Sequence, residues 1–164
     1  MNERIEKIKQ AAQRRIQEKD EKQKREDALE SEYTARIKAL APRIAELMDI
    51  ASELMNNGIS LGRKNYTRGY KDEFVTEGIC HNLGFYFPLL NDKRCFRGIG
   101  IEGGGCCGHD LGVDRYGNII TSAYSFPESL FGNSRHFDFC SKCKQFLDNF
   151  DSFEKRVFDY VDTL

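Results

Sequence analysis

Residues 3–40 contain neither glycine nor proline, and about half of them are charged. A helix is the regular structure open to such a segment: nothing in it breaks a helix, and too little of it is apolar to be buried in a sheet. Opposite charges recur four apart at Glu3/Lys7, Glu18/Lys22, Glu21/Arg25 and Glu32/Arg36. Each such pair supports a solvated helix by about 0.2–0.5 kcal/mol. The apolar residues are unevenly spread. Ile5, Ile8, Ala12 and Ile16 form a narrow stripe, whereas residues 17–27 include no apolar side chain at all. The middle of this helix is therefore expected to stand in water.

A denser seam begins at Ile37 and continues through Leu40, Ile44, Leu47, Ala51 and Leu54 in steps of three and four, the spacing of a buried helix face. Pro42 suits the first turn of a new helix, so a break is expected near Ala41 and a second helix ending at Asn57-Gly58. Two heptads are too few to demand an intermolecular coiled coil, and the seam is expected to pack on the chain's own domain. All 14 glycines and all six cysteines lie at Gly58 or later, as do all the aromatic residues except Tyr33. The expected organisation is a charged helical arm over residues 1–36 and a compact α+β domain over residues 37–164.

Within that domain the pattern changes to short runs separated by Gly, Asn and Asp. Leu83-Gly84-Phe85-Tyr86-Phe87 reads as a strand stopped by Pro88, and Gly98-Ile99-Gly100-Ile101 as a weaker one. Leu111-Gly112-Val113-Asp114 and Asn118-Ile119-Ile120-Thr121 flank a turn containing Gly117, the pattern of a hairpin. These runs predict a small antiparallel sheet. A closing helix is predicted to start near Ser141 or Asp151, with Phe146, Phe150, Phe153, Val157, Val161 and Leu164 on one side. Its reverse carries Asp148, Asp151, Asp159 and Asp162, interrupted by Lys155. That row is either a solvated face or an acidic strip that docks into a basic groove of a partner.

The formal net charge is −1. Residues 1–41 carry eleven basic and nine acidic side chains, leaving fourteen and seventeen for the rest, so neither half is a polyelectrolyte that binds nucleic acid by charge alone. The first residues lack the apolar core of a signal peptide, and no stretch is long enough to cross a bilayer. The chain is accordingly expected in the cytoplasm, where its cysteines would be reduced thiols or metal ligands rather than disulfides.

Four groups of residues invite chemistry or binding. Cys106 and His109, followed by Cys140 and Cys143, have the two-residue gaps of a tetrahedral zinc site, although thirty residues part the halves and buried thiols are ordinary core material. Cys107 and His81 supply a nucleophile and a base beside Gly103-Gly104-Gly105, but nothing in the sequence brings them together. Neither group is strong enough to predict a metal, a cofactor or an enzyme. Arg63, Lys64, Tyr66, Arg68, Tyr70 and Lys71 form a stretch of four cations and two aromatic rings with no acid, suited to a phosphate backbone with stacked bases or to an acidic protein surface. With Asp148, Asp151, Asp159 and Asp162, these six are the expected partner-binding residues.

Four segments carry a resemblance. They are Pro42-Arg43-Ile44-Ala45-Glu46-Leu47, Phe74-Val75-Thr76-Glu77-Gly78-Ile79-Cys80-His81-Asn82-Leu83-Gly84-Phe85, Gly103-Gly104-Gly105-Cys106-Cys107-Gly108, and Phe146-Leu147-Asp148-Asn149-Phe150-Asp151-Ser152-Phe153-Glu154. They resemble small proteins carried by bacterial phages and other mobile elements, and the likeness spans most of residues 42–164 while leaving the arm outside. The motifs are tied to no reaction. The resemblance implies a setting in which such proteins block host defences, as the anti-CRISPR inhibitors do. A non-enzymatic binding protein that inhibits a nucleic-acid-handling enzyme, such as a CRISPR effector, is thus the leading expectation. Its partner would be a protein or ribonucleoprotein, with self-association through the arm as a further expectation. A small protein binding DNA or RNA directly is the second reading, and a zinc- or cysteine-dependent enzyme the third.

Overall fold

A computed structural model describes residues 2–61, 84–87, 96–101, 111–121 and 139–164. Among them are three helices and four strands in an α+β arrangement: α1 (Glu3–Ala39), α2 (Ala41–Asn56), β1 (Phe85–Tyr86), β2 (Ile99–Ile101), β3 (Leu111–Val113), β4 (Ile119–Thr121) and α3 (Phe139–Asp162).

The long N-terminal helix forms as its composition requires. Asn2 caps it, its Oδ1 accepting from the Arg4 amide at 3.1 Å. Glu3 and Glu6 in the first turn and Arg36 and Lys38 in the last complement the helix dipole. Of the four expected pairs the structure contains Glu32 with Arg36, at 3.9 Å, while Lys22 turns to Glu26 at 3.9 Å and Lys9 to Glu6 at 3.5 Å. The break falls where Pro42 requires it. Leu40 ends α1 and begins α2, with its amide donating to the Ile37 carbonyl at 3.0 Å. The far end of α2 closes at Asn57 and Gly58 by the paired bonds of a Schellman motif, Ile59 N–H to the Leu54 carbonyl at 2.9 Å and Gly58 N–H to the Met55 carbonyl at 3.1 Å.

The strands make an antiparallel meander in the order β1-β2-β3-β4, with Phe85 opposite Ile101, Ile99 opposite Val113, and Leu111 opposite Thr121. The first strand is shorter than the predicted run because Gly84 has φ +67° and forms a turn instead of extended backbone. Between β3 and β4 the Asp114 carboxylate accepts from the amides of Tyr116 and Asn118, both at 2.9 Å. Gly117 has φ +79°, and a Cβ there would lie 2.9 Å from Lys38 Cα, so both the turn and its neighbour require glycine. The tip of this hairpin is thereby seated against the α1–α2 break. Lys38 Nζ donates to Asn118 Oδ1 at 2.7 Å, and Arg115 meets Asp49 at 3.2 Å.

The two sheet faces are used differently. Phe85, Ile99, Ile101, Leu111 and Val113 join Phe87 and Phe96 in one core with the helices. Phe85 stacks on Phe153 of α3 at 4.6 Å and 10°, and tilts against Phe146 at 5.3 Å. Across the other face runs the row Tyr86, Gly100, Gly112, Ile120, where the Tyr86 ring lies so close over Gly100 that a Cβ would meet it at 2.7 Å.

The third helix starts at Phe139, two residues before Ser141, the earlier of the two expected starts, and the Phe139 side chain packs on the core edge and extends the buried face. Phe146, Phe150, Phe153 and Val157 are buried as their spacing predicts, but Val161 is half-buried and Leu164 is exposed at the end of the chain. This helix runs in the same direction as α1 and α2 and lies beside both. Cys140 is near Glu26, Lys144 near Tyr33 and Arg36, and Phe150 and Glu154 near Arg43; Val161 shares a groove with Leu54. The first two helices therefore follow one another along a single interrupted line.

Candidate interaction surfaces

The arm is the largest uncovered element. Ile37 is fully buried and Tyr33 half-buried against the core, and the Cys140 thiol reaches the Glu26 carbonyl at 4.0 Å. Before that point α1 is exposed all round: Ile5 is 50% exposed, Ile8 69% and Ile16 61%. At 1.5 Å per residue, residues 3–25 extend about 35 Å beyond this last support.

The acidic residues of α3 are not an uncompensated strip. Asp148 pairs with Lys144 one turn back, and Asp159 with Lys155 at 2.7 Å. Asp151 is drawn into a junction with α2. The Arg43 guanidinium donates through Nε to Glu154 at 2.9 Å, and through Nη2 to Glu154 at 2.7 Å and Asp151 at 2.6 Å. Its carbon lies 5.0 Å from the centroid of the Phe150 ring. Hydrogen bonds to Glu154, then to Asp151, hold the guanidinium above its already high pKa, so its charge is permanent. Asp162 has no cation at ion-pair distance among the described residues. The row thus serves α2–α3 packing at Asp151 and is locally neutralised at Asp148 and Asp159.

Cys140 and Cys143 occupy the first turns of α3, three apart. Cys143 is buried, and its pKa is pushed up to about 12, chiefly by burial, then by Cys140 and Glu30. A thiol held in its neutral form is a poor nucleophile. Among the described residues no group of three or more metal-capable side chains gathers. Cys106, His109, Cys107 and His81 lie outside the described residues, as do Arg63, Lys64, Tyr66, Arg68, Tyr70 and Lys71.

One surface was not foreseen. Along α2 and the end of α3 runs an apolar groove formed by Pro42, Ala45, Ile50, Leu54, Ile59 and Val161, and Glu46, Asp49 and Glu53 follow its length. Those carboxylates recur at i, i+3 and i+7, one side of a helix. The spacing is visible in the sequence, beside the buried seam rather than on it.

Compared with known protein families, curated proteins and solved structures, the chain finds no match. Among the described residues no helix is long and apolar enough to cross a membrane.

Proposed function

We propose that this chain is a binding protein that inhibits a host nucleic-acid-handling enzyme, such as a CRISPR effector, by covering part of its surface. The observation that supports this reading is the arm: a long helix, exposed before Glu26, carried by a body with a packed core. A largely polar helix that carries a narrow exposed apolar stripe, and lies against none of the described residues before Glu26, is suited to lie against something else. Its mixed charge fits the surface of a ribonucleoprotein, where basic protein and anionic nucleic acid alternate. Arg63, Lys64, Arg68 and Lys71 offer a second cationic contact from the sequence between α2 and β1. The neutralised acids of α3 contribute less.

The test is a target-cleavage assay with a purified effector, titrated with the full-length chain. Cleavage should fall to background near stoichiometric ratios. Reversing Lys22, Lys24 and Arg25 to glutamate should weaken inhibition by about ten-fold or more, the scale of losing several interfacial charge contacts. Reversing Arg63, Lys64, Arg68 and Lys71 tests the second contact in the same way. Cleavage unaffected by an excess of wild-type chain for each effector type of the host would end this reading.

A further inference from the structure

Two uncovered apolar surfaces lie at opposite ends of the chain, and their borders carry opposite charge. The first is the arm stripe Ile5, Ile8, Ala12 and Ile16. Projected at 100° per residue, Lys9, paired with Glu6 at 3.5 Å, falls on one side of it, Arg15 and Arg4 on the other, and Lys19 continues its line; Glu3 and Glu18 lie farther round the helix. The second is the groove of Pro42, Ala45, Ile50, Leu54, Ile59 and Val161. Its acids are Glu46, Asp49 and Glu53, of which Asp49 takes Arg115 at 3.2 Å while Glu46 and Glu53 have no cation among the described residues. The stripe is about 17 Å long and the α2 wall of the groove about 22 Å, so one accommodates the other.

We propose that the arm stripe of one copy of this chain seats in the α2–α3 groove of a second copy, and reciprocally, so that two chains exchange arms. The arm of a chain cannot reach that chain's own groove. Ile16 stands about 39 Å from Pro42 along the helices, and α2 continues away from the arm instead of folding back along it. Pairing of arm with arm is disfavoured by charge, since two stripes bordered by Lys9, Arg15 and Lys19 would set cations against cations. The groove presents carboxylates where the arm presents ammonium and guanidinium groups. Two rods laid antiparallel about a two-fold axis set each stripe at the level of the other's groove, an arrangement that closes at a dimer. The contact is a helix-in-groove interface with anchors at i, i+3, i+7 and i+11. It does not depend on which enzyme the chain inhibits.

Light scattering of the full-length chain over a concentration series tests this. The mass should rise from 18.9 kDa toward twice that value. Ile8→Glu with Ile16→Glu, and separately Glu46→Lys with Glu53→Lys, should each weaken self-association by about ten-fold or more, with helicity by circular dichroism unchanged because all four sites are exposed. Adding Lys9→Glu and Arg15→Glu to the groove variant should restore the dimer. A constant mass of 18.9 kDa at all attainable concentrations would overturn the proposal. So would a dimer indifferent to Glu46→Lys with Glu53→Lys, which would place arm against arm. A monomer that still inhibits cleavage would remove the arm exchange and leave the inhibitor reading standing.

Discussion

The first and third helices are the two longest among the described residues and are built on opposite terms. Along α3, Phe146, Phe150, Phe153 and Val157 are sealed in the core between the sheet and the line of α1 and α2, and the helix exists because that face is covered. Along α1, coverage is confined to Tyr33, Ile37 and the turns beside Cys140, and the remaining two thirds rely on composition and capping. One chain therefore contains a helix specified by tertiary packing and a helix specified by local chemistry. Sequence spacing identifies both, but substitutions should separate them sharply.

The widest separation should come from Phe153→Ala, which removes the ring stacked on Phe85 and tilted against Phe87 and should cost about 3–5 kcal/mol in urea unfolding. A loss below 1 kcal/mol would mean that α3 does not depend on its packed face. Arg43→Met should cost about 2 kcal/mol, because it leaves Glu154, whose side chain is only 17% exposed, without its cation. Lysine at position 43 should recover only part of this, lacking the fork that serves Glu154 and Asp151 together.

Gly117→Ala should cost about 1–2 kcal/mol through its positive φ and the contact with Lys38, loosening the hairpin from the α1–α2 break. The pH dependence follows from Cys143. Its folded pKa near 12 exceeds that of the thiol in the unfolded chain, so the folded state keeps a proton that the unfolded state loses. Stability should accordingly fall as the pH rises from about 9 toward 12, by at most about 1.4 kcal/mol per unit. Cys143→Ala should flatten this slope relative to wild type, whatever its effect at neutral pH, and an unchanged slope would place the titration elsewhere. The smallest effect belongs to the arm. In dilute solution, where copies do not meet, Ile8→Ala should change unfolding by less than about 0.5 kcal/mol.

The same division governs what could be read from the residues. The arm was legible because it obeys rules written within a few residues: no breaker, charges four apart, and Pro42 and Gly58 bounding the next helix. The hairpin at Gly117 and the phenylalanine ladder of α3 were legible for the same reason. The Arg43 junction was not, because Asp151 and Glu154 lie more than a hundred positions away and no local spacing links them. The groove stayed hidden for a related reason. Ile50 and Val161 were each assigned to a helix, but which apolar residues remain uncovered depends on how α2 and α3 end against each other. For the acids of α3 a sequence shows the sign of each charge and not the cation folded against it.

The last turns of α1 have a consequence for how long the arm is at any moment. An isolated helix must first order a turn at a cost that makes short helices marginal in water. Here Tyr33 and Ile37, fixed on the body, supply that turn already formed, and the helix grows outward from it one residue at a time. Its melting should then run from Asn2 inward instead of all at once, with amide exchange fastest at the tip and slowing toward Glu26. Warming would shorten the arm before it unfolded the body, so that temperature sets the reach of the molecule.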